Sequence, residues 1–285
     1  MFKIGPQKPI NLAHRGASAH APENTLSAFR LALDMGADGV ELDVQLSYDR
    51  VPVVIHDISL KQLFMRDSLV AEKSCNALKL LSFGDKFGEK YQDERIPTLA
   101  QALDAMAGNI VNIELKGEGL DDGGLPERVV EVVGEMNTSE NVIISSFNPL
   151  MLATVKRINP EIATAFLFRP DGPSGLRGPW AGYAFGTNFL NPRKDITDES
   201  RIARWHTKGY GVIVWTVNEE EEMTEIALQG ADAIITDYPD RLSAILKKGL
   251  PVIPPPENQK KQSSILRFIP QRLKSKKSQK EQELS

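Results

Sequence analysis

Carboxylates, imidazoles and fixed cations stand in or directly after three apolar runs, which begin near residues 10, 39 and 110 of this chain. On an extended strand, residues i and i+2 point to the same face, so Glu41 projects together with Asp43. By the same spacing, Glu114 projects together with Lys116. Charges inside apolar strands are costly to bury unless they pair or bind a cation. Three such strands in one chain indicate an active site.

The acidic residues of these runs are candidate metal ligands. Glu41, Asp43 and Glu114 offer carboxylate oxygens, and an oxygen-only set selects the hard cations Mg²⁺ or Ca²⁺. Zinc is disfavoured, because the chain has four histidines and a single cysteine, Cys75. The sequence therefore predicts a hard divalent cation at the three carboxylates.

The basic residues suit a phosphate group. Arg15 and Lys116 carry fixed positive charge, which favours contact with phosphate oxygens. His14 and His56 both end apolar runs, and two imidazoles flanking a phosphate can act as general base and general acid in P–O cleavage. The metal and the cations would stabilise charge on the phosphoryl oxygens. The residues alone thus point to phosphate-ester chemistry.

Taken singly, each of these residues also has a structural interpretation. Glu114 with Lys116, and Glu41 with Arg15, could be ion pairs that only stabilise the fold. Either histidine could be a hydrogen-bonded residue at a strand end. All three clusters being structural together is a poor explanation of the pattern, so the functional interpretation is preferred.

Other polar residues beside the motifs are interpreted as supporting groups. Asp57 is expected to orient His56 or to cap the following turn. Glu23 and Asn24 are expected to start a helix or fix a loop rather than to take part in catalysis. The two remaining histidines are expected to be structural or solvated.

Strand and helix patterns alternate over residues 8–250, which predicts a parallel sheet covered by helices. Nine runs have the character of strands. The connection from Val44 to Val51 is too short for a parallel crossover, which needs a dozen or more residues, so residues 51–55 are predicted to return as a hairpin arm. The other eight strands predict an α/β fold, the (β/α)₈ TIM barrel. Catalytic groups of such barrels lie at the carboxyl ends of the strands, where all these charges fall.

Two segments fall outside the strand and helix repeat. Residues 58–95 are predicted to be a small insertion that covers the barrel mouth, within a domain of residues 1–250. Residues 251–285 begin with a prolyl break and are predicted to be a basic, disordered tail. From Glu257 onward the tail has eight Lys or Arg against three acids, a net charge of +5, whereas the whole chain carries −4.

Composition places the chain among ordinary globular proteins, with 285 residues, 25% charged and 41% hydrophobic. No apolar stretch approaches the roughly 18 residues that a membrane span needs. The first nine residues lack the apolar core of a secretory signal, so a cytoplasmic location is expected. A single cysteine excludes a disulfide framework. Nucleic-acid binding is not expected, because the body is acidic and the basic tail is poor in aromatic residues.

The motifs together resemble the glycerophosphodiester phosphodiesterase family, in the family's order and over roughly residues 8–248. The matching segments are residues 14–16, 22–25, 41–44, 56–57, 95–99, 114–116, 145–147, 215–218 and 236–239. Any one of them is a weak signal, whereas the combination is specific. The resemblance weakens at residues 60–64, where relatives often have an Arg-Thr-Thr-like stretch, and this departure concerns the preference for the alcohol headgroup.

The resemblance implies a barrel enzyme that uses a divalent cation to hydrolyse glycerophosphodiesters to glycerol phosphate and an alcohol. Carried onto this chain, the catalytic pair is His14 and His56, the metal ligands are Glu41, Asp43 and Glu114, and the phosphate-contacting cations are Arg15 and Lys116. Trp215 matches an aromatic residue of the substrate pocket, although packing in the barrel core is a second interpretation of it.

Three hypotheses follow for the activity. The first is a phosphodiesterase for water-soluble deacylated phospholipids. The second is a lysophospholipase D-type enzyme at a membrane surface, which the apolar and basic tail favours through contact with anionic lipid. The third is a catalytically silent barrel that binds phosphodiesters, but no ligand or histidine of the motifs is missing. The sequence carries no signal of oligomeric state.

Overall fold

The computed structural model describes residues 8–117 and 123–251. The described residues contain nine strands. These are β1 (Ile10–His14), β2 (Gly39–Leu46), β3 (Pro52–Val54), β4 (Ile110–Leu115), β5 (Val142–Ser146), β6 (Ala163–Phe168), β7 (Phe189–Pro192), β8 (Gly211–Val214) and β9 (Ala233–Thr236).

Helices separate the strands. They are α1 (Leu26–Asp34), α2 (Lys61–Phe64), α3 (Cys75–Leu78), α4 (Gly84–Phe87), α5 (Leu99–Ala105), α6 (Leu125–Glu135), α7 (Pro149–Ile158), α8 (Trp180–Ala184), α9 (Glu199–Thr207), α10 (Glu220–Leu228) and α11 (Pro239–Lys248). Within the described ranges, no helix combines the length and apolar character that crossing a bilayer requires.

Eight of the strands form a closed parallel barrel. The ring runs β1, β2, β4, β5, β6, β7, β8, β9 and closes through the pairing of β9 with β1. Leu12 faces Gly39 on one side and Ile235 on the other, so β1 is hydrogen-bonded along both edges. This confirms the (β/α)₈ TIM barrel predicted from the sequence.

The ninth strand, β3, lies outside the ring. It pairs antiparallel with β2, with Val44 opposite Val54 and Leu46 opposite Pro52. The turn between them is closed by a hydrogen bond from Arg50 N–H to Ser47 O at 2.9 Å. The short connection between the arms therefore forms the predicted hairpin and brings the chain back towards the carboxyl end of β2.

Two local predictions differ from the structure. The pattern predicts a strand at residues 186–190, whereas β7 begins at Phe189, because Gly186 adopts a φ of +63° that an extended strand does not accept. Helix α8 was not predicted, and it is a five-residue turn with no side-chain cap. Neither difference changes the ring or its carboxyl end.

The segment after β3 folds around a small apolar cluster of its own. Leu60, Leu63 and Phe64 pack with Leu78 and Phe83, and hairpin residues complete the cluster. Backbone contact with the hairpin tip is direct, since Tyr48 N–H donates to Lys73 O at 2.8 Å. The hairpin and the segment at residues 58–95 are thus one connected unit beside the barrel.

Two apolar regions hold the barrel itself. One lies between strands and helices and includes Phe29, Val40 and Leu152. The other fills the barrel interior with residues such as Leu12 and Phe189. The chain divides by its contacts after Leu250, and the tail predicted at residues 251–285 lies, apart from Pro251, outside the described residues.

Candidate active site

Three adjacent strands bring the acidic residues together. β2 lies between β1 and β4, with His14 opposite Glu41 and Asp43 opposite Glu114. Since the strands are parallel, their carboxyl ends meet at one end of the barrel. The registers therefore place one histidine and three carboxylates in a single patch.

Glu41, Asp43 and Glu114 each bring a carboxylate oxygen to within 4.8 Å of the others. Glu41 and Asp43 are only 3% and 1% exposed. Burial, and then the charge of Asp43, raises the pKa of Glu41 to about 8. Buried carboxylates at this separation repel each other unless a cation lies among them. The oxygen-only set therefore fits a hard divalent cation, as the sequence predicted.

Two basic side chains offset part of this negative charge. Lys116 Nζ lies 2.9 Å from Asp43 Oδ1 and 2.5 Å from Glu114 Oε1. Arg15 Nε lies 3.1 Å from Asp43 Oδ2. Burial opposes the charged form of Asp43, but Lys116 and Arg15 outweigh it and hold the pKa of this carboxyl well below its usual range. Asp43 is therefore the charged centre of the cluster.

The loop after β1 aims Arg15 into the site. Arg15 and the following Gly16 have φ values of +54° and +80°, so the chain turns sharply at the end of the strand. A Cβ atom on Gly16 would lie 2.6 Å from the backbone carbon of Ala28 in α1, so only glycine permits this packing. The Arg15 backbone N–H donates to Glu41 Oε2 at 3.2 Å, and its side chain pairs with Glu23.

His14 is held by a carboxylate from the opposite end of the chain. Its Nδ1 lies 2.6 Å from Asp237 Oδ1, and its Nε2 lies 3.9 Å from Glu41 Oε2. Burial lowers the pKa of His14, but the hydrogen bond to Asp237 and the charge of Glu41 outweigh burial and raise it. Asp237 in turn accepts hydrogen bonds from Ser18 and Asn218, at 3.0 and 2.6 Å.

His56 follows the hairpin arm and is oriented in the same way. Its Nδ1 lies 2.8 Å from Asp57 Oδ1, as expected from the sequence. Gln45 on β2 fixes the backbone, since its side-chain N–H groups donate to Ile55 O and His56 O at 3.0 and 2.9 Å. The Nε2 atom of His56 is therefore the nitrogen available to a ligand.

Two cavities open near the carboxyl ends of the strands. The larger, of about 950 Å³, is lined by His56, Glu114 and Lys116 and by several apolar side chains. The smaller, of about 230 Å³, is lined by His14, Arg15 and neighbouring residues but by none of the three carboxylates. The two histidines thus open onto different cavities.

Trp215 directly follows β8, on the far side of the barrel from β2. Its Nε1–H donates to Asn191 O at 2.9 Å, and its ring lies edge-on to Phe147 at 5.6 Å. It also packs on the interior apolar cluster. The described contacts of Trp215 are therefore those of a packed aromatic residue at the carboxyl end of β8.

Three residues bond to site residues although the sequence analysis named none of them as a ligand, a catalytic group or a phosphate contact. Asn24 holds Asp43 through two hydrogen bonds, from its Nδ2 to Oδ2 at 2.9 Å and from Asp43 N to its Oδ1 at 3.2 Å. Glu23 pairs with Arg15, and Asp237 pairs with His14. Glu23 and Asn24 were expected to start a helix or fix a loop: Thr25 provides the cap of α1, whereas their bonds to Arg15 and Asp43 agree with fixing a loop.

The other two histidines lie apart from the carboxylates. His20 Nε2 is 3.3 Å from Asp240, near the surface. His206 Nε2 is 2.7 Å from Asp232, which precedes β9 and so lies at the amino end of the barrel. In TIM barrels that end supports stability rather than catalysis, so both agree with the structural interpretation.

Fold and site together define a TIM-barrel enzyme whose centre combines buried carboxylates, cations and two oriented histidines. The sequence matches the glycerophosphoryl diester phosphodiesterase family over residues 14–241. The chain belongs to this family of phosphoric diester hydrolases.

Related proteins and solved structures agree with this assignment. The glycerophosphodiester phosphodiesterase of Caldanaerobacter subterraneus subsp. tengcongensis is 35% identical over 250 residues, which cover 85% of this chain and 99% of that protein. A phosphodiesterase from Oleispira antarctica was solved in complex with the product sn-glycerol-3-phosphate. Its structure has a TM-score of 0.77 and 32% sequence identity with this protein, and the match covers 84% of this chain and 97% of that chain. A structure from Silicibacter pomeroyi, described as a glycerophosphoryl diester phosphodiesterase, also has a TM-score of 0.77, with 28% identity and 86% and 95% coverage.

Proposed function

We propose that the enzyme hydrolyses glycerophosphodiesters to sn-glycerol 3-phosphate and an alcohol, with Mg²⁺ or Ca²⁺ held by Glu41, Asp43 and Glu114. The observation that carries the proposal is the buried triad, whose oxygens lie within 4.8 Å of one another beneath two oriented histidines. When bound, the cation would stabilise negative charge on the phosphoryl oxygens. The product bound to the Oleispira antarctica enzyme supports the same product here.

The two histidines supply the proton transfers in this proposal. One takes a proton from the attacking water as its oxygen bonds to phosphorus. The other gives a proton to the alcohol oxygen as the P–O bond breaks. Asp237 and Asp57 hold the Nδ1 atoms of His14 and His56, so each ring presents Nε2 to the reaction. The assignment of base and acid is left to experiment.

Arg15 and Lys116 serve as phosphate contacts in the proposal. Both pair with Asp43, and Lys116 lines the larger cavity together with Glu114, whereas Arg15 lines the smaller cavity. A phosphate entering between them would gain charge-assisted hydrogen bonds. The guanidinium and the ammonium would thereby orient the substrate and balance its charge.

A product assay over a panel of substrates tests this proposal. Glycerophosphocholine and glycerophosphoethanolamine are incubated with the enzyme, and products are followed by ³¹P NMR. We expect glycerol 3-phosphate together with the free alcohol. Release of a phosphorylated alcohol with free glycerol would place cleavage at the other P–O bond and contradict the proposal.

The larger cavity favours a second candidate substrate, a lysophospholipid. Its walls are apolar and include Ile58, Phe147, Leu150 and Leu176, and its volume of about 950 Å³ exceeds what a small headgroup needs. Arg169 lies over the Phe147 ring at 5.5 Å, so one aromatic face that could receive a choline cation already holds a cation. An acyl chain fits such a cleft better than a compact polar alcohol.

Charge introduced into the cleft distinguishes the two candidates. If the acyl chain lies in the larger cavity, Leu150→Glu and Leu176→Glu should lower kcat/KM for lysophosphatidylcholine. They should leave kcat/KM for glycerophosphocholine unchanged. Leu80→Glu, at an 82% exposed position outside the cleft lining, is the control. Equal activity of all three variants on lysophosphatidylcholine would remove the cleft from acyl recognition.

The site of action is proposed on sequence grounds. The tail combines a net charge of +5 with large apolar residues, which supports weak contact with anionic membranes.

A further inference from the structure

The barrel interior beneath the acidic cluster is partly polar. Interior residues alternate along each strand, as Ile110 and Phe189 show by packing in the interior cluster while their neighbours pack outward. By the same alternation Asn112 on β4 and Asn191 on β7 point into the barrel. Interiors of this fold are ordinarily filled by branched apolar residues, so two amides there require an explanation.

Both amides are fully buried and unpaired. Asn112 and Asn191 are each 0% exposed. Within residues 8–117 and 123–251, neither the oxygen nor the nitrogen of either side chain has a hydrogen-bond partner. Burying an amide without partners destabilises the folded state, so buried amides in native proteins are ordinarily hydrogen-bonded to protein groups or to ordered water.

The strand registers place both amides in the interior layers at or directly below Glu41. Asn112 is directly opposite Glu41 in the pairing of β2 with β4. Each interior layer of a TIM barrel contains four side chains, one from every second strand. The registers around the ring place Asn191 in one such layer with Glu41, Ser145 and Ile235. The layer below contains Asn112. Asn191 thus faces Glu41 across the barrel, and Asn112 lies one layer below Glu41 on the neighbouring strand.

Small residues leave room in these layers. Ser145 and Ala165 occupy interior positions where larger branched side chains are usual in this fold. Neutral amides offer both donors and acceptors, which matches water, whereas they supply no charge to hold an ion. A buried water typically makes about three hydrogen bonds to polar groups that would otherwise be unpaired.

We propose that the barrel interior holds ordered water molecules that link the amides of Asn112 and Asn191 to the carboxylate of Glu41. Asn112 and Asn191 are then positioning residues, which act through water to orient Glu41 towards the cation. The positioning role rests on the proposed function, because it takes Glu41 to be a metal ligand. Groups that orient ligands in this way typically change metal affinity by 10–100-fold when removed.

Leucine substitutions separate this role from ordinary core packing. Asn112→Leu and Asn191→Leu remove the water partners at similar volume. Each is expected to weaken binding of Mg²⁺ or Ca²⁺, measured by calorimetry, by about tenfold or more. The melting temperature of the metal-free protein is expected to hold or rise, because the amide and its water partners are replaced together by an apolar group of similar volume. A purely structural role would instead lower stability and leave the affinity unchanged.

Ile213→Leu is the matched control, since Ile213 is a buried interior residue without polar atoms. It should leave cation affinity at the wild-type value. Leucine variants that bind the cation as wild type does would overturn the positioning role. Failure of the wild type to bind either cation would instead refute the metal centre of the proposed function.

A high-resolution crystal structure of the wild-type protein tests the water network without any variant. We expect ordered waters within hydrogen-bond distance of both amides, one of them also contacting Glu41. Amides that bond directly to each other or to protein groups, with no water between them, would overturn the proposal whatever the cation affinity is.

Discussion

Single residues set the charge of His14, and the most important of them is Asp237. The two residues are 223 positions apart in sequence, yet Nδ1 and Oδ1 lie 2.6 Å apart because β9 closes the barrel beside β1. The hydrogen bond from His14 outweighs burial and lowers the pKa of Asp237 to about 2. At neutral pH Asp237 is therefore charged and favours the protonated form of His14.

Removing this charge should move the pH profile of the enzyme. In Asp237→Asn the pKa of His14 is expected to fall, because burial is then opposed by less negative charge. The limb of the kcat/KM profile that belongs to His14 should shift to lower pH: the acidic limb if His14 is the base, the alkaline limb if it is the acid. Asp240→Asn, next to the surface residue His20, is the control and should move neither limb.

The catalytic pair is tested by alanine substitution. His14→Ala and His56→Ala should each lower kcat by at least ~10², the scale of a general acid or base. The double variant should be little slower than the slower single variant, since groups that act as a unit are not additive. A variant that keeps near-wild-type turnover would show its histidine to be a bystander.

At this scale the sequence identified charged residues better than their partners. Glu41, Asp43 and Glu114 stand out because carboxylates are conspicuous inside apolar strands. Asn24 carries no such signal, because its two bonds to Asp43 depend on a left-handed backbone with φ +57° in the loop after β1. Asparagine is common in turns and caps, so the type of residue 24 alone predicts a helix start or a fixed loop rather than a contact with Asp43.

At the scale of elements, the hairpin tip anchors the segment that forms one wall of the larger cavity. Asp49 Oδ1 accepts hydrogen bonds from Ser47 Oγ at 2.6 Å and from Cys75 N–H, at the start of α3, at 2.8 Å. These bonds lower the pKa of Asp49. The charged form of Asp49 thus stabilises the fold above the ordinary pKa of a carboxyl group. This stabilisation is lost as the pH falls through the lowered pKa of Asp49.

Asp49→Ala should loosen this anchor. We expect a melting temperature lower by about 2 °C at pH 7, the usual effect of losing one helix cap in a domain of this size. The difference from wild type should narrow as the pH falls through the lowered pKa of Asp49. Asp67→Ala, at a side chain that is 92% exposed, is the matched control. No difference between the two variants at pH 7 would contradict the anchoring role.

The sequence predicts the order of the strands and helices better than it predicts where each of them ends. The apolar run at residues 163–168 and the prolyl start at residue 149 predict a strand and a helix, and β6 and α7 have these bounds in the structure. The apolar run at residues 211–217 predicts a longer strand than β8, which ends at Val214. The following residue, Trp215, makes its contacts with the neighbouring strand through Asn191 O, and such tertiary contacts leave no local pattern.

At the scale of the whole molecule, the closed ring explains how distant motifs form one site. Parallel strands that all point the same way put every strand-end motif at the same end of the barrel. The eight-strand ring could be derived from the sequence because one connection, from Val44 to Val51, was too short to be a crossover. The depth and polarity of the barrel interior could not be derived from the sequence, because they depend on the strand registers around the whole ring.

The tail gives a whole-molecule prediction that rests on sequence. The barrel elements are complete at Lys248, so truncation after Pro256 should leave the melting temperature and activity on soluble glycerophosphodiesters unchanged. If the net charge of +5 brings the enzyme to membranes, truncation should reduce binding to anionic vesicles, and salt should weaken binding of the full chain. Equal binding of both forms to anionic and neutral vesicles would eliminate this role.

Metal dependence of hydrolysis tests the central claim most directly. The enzyme is stripped with chelator and assayed on glycerophosphocholine while Mg²⁺ or Ca²⁺ is restored, beside Glu41→Gln, Asp43→Asn and Glu114→Gln. We expect activity to vanish with chelator and return with the cation, and each variant to need more cation while keeping its fold by circular dichroism. Full activity of the stripped enzyme in excess chelator would contradict the account.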